Sequence, residues 1–173
     1  MTTPNLILRR ILESETITFD ACDGTRTMAN AKEVFTGCVD GDWKNYGLCN
    51  PGPATIATPA HMYELVKKAK FKGMFQSLPF PLDAMCVTES QYIGFAKKYP
   101  HLLGEYGTFM LVKKDASLPA MQIVDGVENF DNVVVADADR GSGGLLSDVF
   151  YFEYDRVWNA GYRHRVVVPQ LGT

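Results

Sequence analysis

The spacing of hydrophobic residues changes once along the chain, near residue 104. Before that point apolar residues recur mainly at helical spacing. In the segment 58–73, for example, Met62, Leu65, Val66 and Ala69 fall at positions i, i+3, i+4 and i+7, which is typical of an amphipathic helix. Three further helices are predicted in this part: from Thr3-Pro4 to Leu12, from Thr27 to Phe35, and from the capping-box sequence Thr88–Gln91 to Pro100.

The second part of the chain has the pattern of strands. The runs TFMLV, AMQIV, NVVVA, DVFYFEY and RHRVVV are rich in β-branched and aromatic residues and are separated by Gly, Asp, Asn and Pro. Their short connections favour antiparallel pairing. We therefore predict an α+β fold, in which a helical N-terminal half (1–104, with one early strand at 16–22) packs on an antiparallel sheet of four or five strands from the C-terminal half (105–173).

Length and composition indicate one globular domain over residues 1–173. The chain is 46% hydrophobic and 21% charged, which is close to the globular average. No apolar run approaches the roughly 20 residues that span a bilayer, and the start MTTPNLILRRILESE does not resemble a secretory signal. We expect a cytoplasmic protein with no membrane contact. Its four cysteines form no C-x-x-C pair, which argues against a zinc ribbon, and no cofactor is predicted.

The stretch VVVADADRGSGG is the first candidate for a cation or phosphate site. Counted as an EF-hand loop from Asp137, it has Gly141 at position 5 and Ser142 at position 6, so a ligand and the required glycine are both missing. A phosphate loop would need a following lysine and helix, and neither is present. We predict a connection between two antiparallel strands and assign no metal site, with a weaker calcium site as the alternative.

The loop 37–57 is the first candidate for a binding surface. It is rich in glycine and proline and contains VDGDWKNYG, with Asp40, Asp42, Trp43 and Tyr46. Long loops often carry function, and Trp and Tyr are common anchors at interfaces. The alternative is that Trp43 packs into the core and the acids are solvated turn residues.

The segment DRVWNAGYRHRV is the second candidate for a binding surface. Its recognition residues are Trp158, Tyr162, Arg163 and Arg165. Along the predicted strand His164 shares a face with two valines, so it is expected to be a partly buried, hydrogen-bonded histidine and not a ligand, whereas the two arginines share the other face. We expect the arginines to pair with nearby acids such as Asp155, or alternatively to bind an anion.

Three segments resemble a group of short uncharacterised hypothetical proteins from environmental, candidate-phylum bacteria. They are NAKEVFTGCVDGDWKNYG, TPAHMYELV and VWNAGYRHRVVVPQL, and the resemblance runs from about Phe19 to Leu171. It implies a free-standing bacterial domain. It implies no activity, cofactor or partner.

Three functions remain open from the sequence. The first is a small non-catalytic protein that binds a protein partner or itself through the loop 37–57 and the segment 158–165. The second is a metal-assisted enzyme or ligand-binding domain that uses clustered aspartates. The third, nucleic-acid binding through a Lys-rich helix at 67–72, is disfavoured because residues 105–173 carry 10 acidic against 6 basic residues. The pool of aspartates for the second function is Asp20, Asp40, Asp42, Asp137 and Asp139.

Overall fold

A computed structural model describes residues 6–170, and within them the main element is a nine-stranded mixed sheet. Three α-helices accompany it: α1 (Asp42–Asn45), α2 (Phe71–Gln76) and α3 (Glu89–Lys98). The strands are β1 (Leu8–Ile11), β2 (Ile17–Phe19), β3 (Cys38–Val39), β4 (Thr58–Leu65), β5 (Cys86–Val87), β6 (Thr108–Lys113), β7 (Gln122–Val124), β8 (Val127–Asn129), β9 (Val133–Gly141), β10 (Gly144–Tyr151) and β11 (Arg165–Pro169). Short 3₁₀ turns lie at Met28–Asn30, Leu82–Met85, Pro100–Leu102 and Ala160–Tyr162.

The large sheet has the strand order β1-β4-β11-β6-β9-β10-β3. In addition β2 pairs with β4, and β5 pairs with β6. Three pairs are parallel: β11 with β6, β5 with β6, and β10 with β3. The remaining strands, β7 and β8, form a separate antiparallel hairpin. The sheet thus combines strands from both ends of the chain, and α3 and α2 lie on its opposite faces.

The predicted fold class is wrong. Residues 58–65, expected to be helical, form the long strand β4, which pairs with β1 and β2 on one side and with β11 on the other. Both faces of β4 are buried: Met62 and Leu65 are each 1% exposed but belong to different cores. A strand buried on both faces carries apolar residues on both sides, and this can imitate helical spacing.

The other expectations for the first half have mixed outcomes. The cap expected at Thr3-Pro4 lies outside the described residues, and the chain that follows forms β1 instead of a helix. The helix expected from Thr27 is a single 3₁₀ turn. The strand at 16–22 is confirmed as β2, and the capping-box helix is confirmed as α3, with the Gln91 amide N donating to Thr88 Oγ1 at 3.2 Å.

Two hydrophobic cores cover the two faces of the sheet. The core on the α3 face includes Tyr92 and Trp43, and the core on the α2 face includes Phe109 and Trp158. Strand β9 contributes to both cores, because alternate side chains of a strand point to opposite faces. Its valines at 133 and 135 lie on the α2 face, and the same row continues into Asp137 and Asp139. No helix of the described residues is long and apolar enough to cross a membrane.

Candidate functional site

The β9–β10 hairpin brings three aspartates together. Its antiparallel register places Asp148 directly opposite Asp137, and Asp139 follows two residues along the same face. One carboxylate oxygen from each residue lies within 4.8 Å of the other two. The turn between the strands confirms the connection predicted for this stretch. The hairpin also builds the only carboxylate group of this kind among residues 6–170.

The innermost carboxylate is held in place by the backbone at the start of β6. Asp137 is 4% exposed, and its Oδ1 accepts a hydrogen bond from the Thr108 amide N at 2.9 Å. The preceding residue, Gly107, has a φ of +117°, and a Cβ there would lie 2.9 Å from the Phe109 ring and 3.2 Å from Asp137 Oδ1. A glycine is therefore required where the chain approaches the carboxylate.

Within residues 6–170 the three carboxylates form no ion pair with a basic side chain. Burial, and then the neighbouring Asp139, raise the pKa of Asp137 well above its ordinary value. Burial likewise raises the pKa of Asp139 to about 6, and burial followed by the charge of Asp40 raises the pKa of Asp148. The cluster therefore attracts protons, and it would attract a bound cation for the same reason.

The aspartates form one wall of a cavity of about 430 Å³. The opposite wall is formed by Trp158 and His164, which precede β11 in the chain. The exposed residues Tyr106 and Tyr162 also line the cavity, and we call them its mouth. The indole and imidazole rings lie 5.1 Å apart, edge to face, and the imidazole also stacks on Phe109 at 5.4 Å. Remaining lining residues are Glu105, Phe150, Arg156, Val157 and Asn159.

Polar atoms in this cavity are buried without partners. Asp139 Oδ1, Trp158 Nε1 and His164 Nδ1 have no hydrogen-bond partner among the described residues. Trp158 is 5% exposed and His164 is 4% exposed. Burial lowers the pKa of His164, so its imidazole is neutral at pH 7. Buried polar groups of folded proteins are normally paired, and unpaired ones indicate a missing water, ion or ligand.

The arrangement can hold one hard divalent cation. Oxygen ligands at about 2.1 Å from Mg²⁺, or 2.3–2.6 Å from Ca²⁺, stand roughly 3–5 Å from one another. The oxygen separations of up to 4.8 Å within the cluster fall in that range. Three monodentate carboxylates leave coordination positions open for a ligand or for an activated water. The neutral imidazole of His164 lies in the same cavity and can accept a proton.

The structure places only two of the four predicted binding residues of the segment 158–165 at the cavity. Trp158 and Tyr162 line the cavity, whereas Arg163 and Arg165 do not. Arg163 is exposed with a φ of 53°, and the Arg165 guanidinium donates to the Leu102 carbonyl. The expected pairing of these arginines with Asp155 is wrong, because Asp155 pairs with Lys70. His164 is more fully buried than expected, with 4% of its surface exposed.

The predicted residues of the 37–57 loop lie mainly against the other face of the sheet. Trp43 is 1% exposed, and its Nε1 donates to Ser147 Oγ at 3.2 Å, as the core alternative anticipated. Tyr46 stacks on Tyr151 with ring centroids 4.1 Å apart and donates to Asp42 Oδ2 at 3.2 Å. The loop 37–57 and the segment 158–165 therefore do not form one exposed surface.

The other aspartates of the predicted pool join the cluster only in part. Asp40 follows β3, which pairs with β10, and it lies close enough to raise the pKa of Asp148. Asp20 instead pairs with Lys98 at 2.6 Å. The residue that sequence reasoning missed is Asp148. Asp137 lies five residues before Ser142 and Asp148 five residues after Gly143, so a two-residue turn at Ser142-Gly143 would have placed them opposite each other.

The four lysines that were expected on one helix do not lie on a common helix. Lys67 and Lys68 follow the end of β4, Lys70 pairs with Asp155, and Lys72 lies 3.4 Å from Glu128 and 3.3 Å from Glu153.

Comparisons of the chain with protein-family models, with curated proteins and with solved structures give no match. The geometry of the cavity therefore carries the functional conclusion alone.

Proposed function

We propose that the protein is a divalent-cation-dependent ligand-binding domain whose cation is held by Asp137, Asp139 and Asp148. The observation that carries this proposal is the convergence of one buried and two partly buried carboxylates within 4.8 Å, with no ion pair to a basic side chain of residues 6–170. Such a group is unfavourable by itself, because like charges placed directly opposite on neighbouring strands repel. A bound cation removes that repulsion because its positive charge balances the negative charges of the carboxylates.

The donor set favours a hard cation. Carboxylate oxygens suit Mg²⁺, Mn²⁺ and Ca²⁺, whereas thiolate sites suit Zn²⁺ and Cu⁺. The four cysteines contribute nothing to this cavity. Of these, Cys49 and Cys86 have raised thiol pKa values, in both cases because of burial first, which is the opposite of what a reactive or metal-binding thiol requires.

The alternative function, a non-catalytic interaction protein, is less well supported than cation binding, because its two predicted tryptophan anchors are buried. Both predicted tryptophan anchors, Trp43 and Trp158, lie within hydrophobic cores. Tyr162 is 54% exposed, but it lies at the mouth of the cavity. Its exposure therefore fits a ligand-binding role as well as a role in protein contact.

Calorimetric titration of the chelator-treated protein with Mg²⁺, Mn²⁺ and Ca²⁺ at pH 7.5 tests the proposal. We expect saturable binding of one ion, and Asp148→Asn should weaken it about tenfold or more because a charged ligand is lost. Asp125→Asn is the matched control, since this exposed aspartate lies in the β7–β8 turn outside the cavity and asparagine tolerates its φ of 51°. Absence of binding, or equal affinity of wild type and Asp148→Asn, would contradict the proposal.

A further inference from the structure

The wall opposite the aspartates carries hydrogen-bonding groups that the fold does not use. Five buried side-chain nitrogen and oxygen atoms of the described chain lack partners, and three of them line this one cavity. One of the three, Trp158 Nε1, is only a donor, so what it lacks is an acceptor. The second, His164 Nδ1, belongs to a side chain that is also more than nine-tenths buried. The indole N–H of Trp158 therefore calls for a ligand with an acceptor atom at this wall.

A guanidinium lies beside these groups without an acid of its own. The Cζ atom of Arg156 is 4.3 Å from the centre of the Trp158 ring, and the residue lines the cavity. Its charge helps to lower the pKa of His164, which places it near the imidazole. The two acids that precede it in the sequence, Glu153 and Asp155, pair with lysines. Among the described residues Arg156 itself forms no ion pair.

We propose that the cavity binds a phosphoryl group, which bridges the cation at the aspartates and the guanidinium of Arg156 and accepts a hydrogen bond from Trp158 Nε1. This inference rests on the proposed cation site. A ligand that meets a cation, a guanidinium and an indole N–H at once needs several acceptor oxygens in a tetrahedral arrangement. A phosphate group has them, and arginine and divalent cations are its usual partners in proteins. A carboxylate has only two oxygens, which lie in one plane, whereas a phosphate can offer a separate oxygen to each of the three groups.

The mouth of the cavity indicates what the phosphoryl group is attached to. The rings of Tyr106 and Tyr162 lie 5.0 Å apart, and each residue is 54% exposed. Exposed aromatic rings at a cavity mouth provide a surface on which a planar base can stack. The cavity volume of about 430 Å³ suits a small molecule. A phosphate monoester with a planar base therefore fits better than a polymer.

Calorimetric titration of the Mg²⁺-loaded protein with inorganic phosphate, adenosine monophosphate, adenosine and acetate tests the inference. We expect phosphate and adenosine monophosphate to bind only when Mg²⁺ is present, and adenosine and acetate to bind at least tenfold more weakly. Tighter binding of the monophosphate than of phosphate would show that the base contributes. Equal affinities would show that the phosphoryl group alone is recognised.

Two variants separate the contacts from the fold. Arg156→Gln changes an exposed residue, and we expect it to weaken phosphate binding about tenfold while Mg²⁺ affinity is unchanged. Trp158→Phe keeps an aromatic ring but removes the N–H, and it should weaken phosphate binding in the same way. Arg163→Gln, an exposed arginine of the same segment outside the cavity, is the control and should change neither affinity.

The two proposals fail in different ways. If Mg²⁺ itself does not bind, the cation site is wrong. If Mg²⁺ binds but phosphate does not, or if Arg156→Gln binds phosphate as tightly as wild type, only the phosphoryl inference is overturned. Acetate binding as tight as phosphate binding would also overturn it.

Discussion

The single carboxylate of Glu89 and the cluster of three aspartates lie on opposite faces of the sheet, and they differ in their hydrogen-bond donors. On the α3 face Glu89 is 8% exposed, and its carboxylate accepts hydrogen bonds from the amide N of Met28 at 3.0 Å and of Cys49 at 2.6 Å. The amide of Asn50 contributes a third. On the α2 face Asp137 is 4% exposed, but its neighbours are one amide donor and two more carboxylates.

The difference indicates which carboxylates serve the fold and which serve a ligand. Burial raises the pKa of Glu89, but backbone N–H groups from two loops oppose that effect and use its oxygens to connect those loops to α3. The aspartate cluster makes one such contact, from Asp137 to the Thr108 amide, and it joins strands that are already paired through their backbones. Burial first, and then the neighbouring charges of Asp139 and Asp148, raise the pKa of Asp137, so neutralisation of the cluster by a proton or a cation is favourable.

The largest effect on stability is expected at Glu89. Glu89→Gln leaves one acceptor oxygen and places an NH₂ group against backbone N–H donors, so buried amides lose their partner. We expect the free energy of unfolding to fall by about 1–3 kcal/mol, with or without Mg²⁺, as measured by urea denaturation. The control Glu13→Gln, at an exposed residue, should change it by less than about 0.5 kcal/mol. A Glu89→Gln protein as stable as wild type would remove the contrast between the two groups.

A second effect, of distinctive sign, is expected from pH. The folded pKa of Asp139 is about 6 and its ordinary value is 3.8, so between these values the folded state holds more protons than the unfolded state. The cation-free protein should therefore lose stability as pH rises through about 6, and saturating Mg²⁺ should remove that loss. The measurement is thermal unfolding from pH 4.5 to 8 with chelator and with Mg²⁺.

Asp148→Asn gives the matched comparison for the pH series. The charge of Asp148 helps to raise the pKa of Asp139, so its removal should weaken the pH dependence of the cation-free protein. The same variant should also lose the stabilisation by Mg²⁺. Identical pH profiles with chelator and with Mg²⁺ in the wild type would show that the cluster does not exchange protons for a cation.

Local signals in the sequence predicted part of the fold correctly. The capping box identified α3, and the runs of β-branched and aromatic residues identified the strands of the second half. The alternation at 16–22 identified β2. These features depend on neighbours in the chain. The identity of β4 depends on β1, β2 and β11, which pair with it from distant parts of the chain, so its residues could be read as helical.

The candidate site could be predicted only in part, because it too depends on residues from distant parts of the chain. The sequence shows the pair Asp137 and Asp139, but the continuous loop that follows lacks the further ligands of an EF-hand. The third carboxylate, Asp148, lies on the neighbouring strand of the hairpin, and Trp158 and His164 of the opposite wall come from a more distant part of the chain. The burial of Trp158 followed from contacts with Phe71 and Phe109, which no local pattern shows.

The central claim is that Asp137, Asp139 and Asp148 hold a divalent cation. The most direct measurement is anomalous X-ray diffraction from crystals grown with Mn²⁺. We predict one strong anomalous peak at about 2.2 Å from a carboxylate oxygen of each of the three aspartates, and a weaker peak in crystals of Asp148→Asn grown at the same, sub-saturating Mn²⁺ concentration. A wild-type map at saturating Mn²⁺ with no peak at the cluster would contradict the claim.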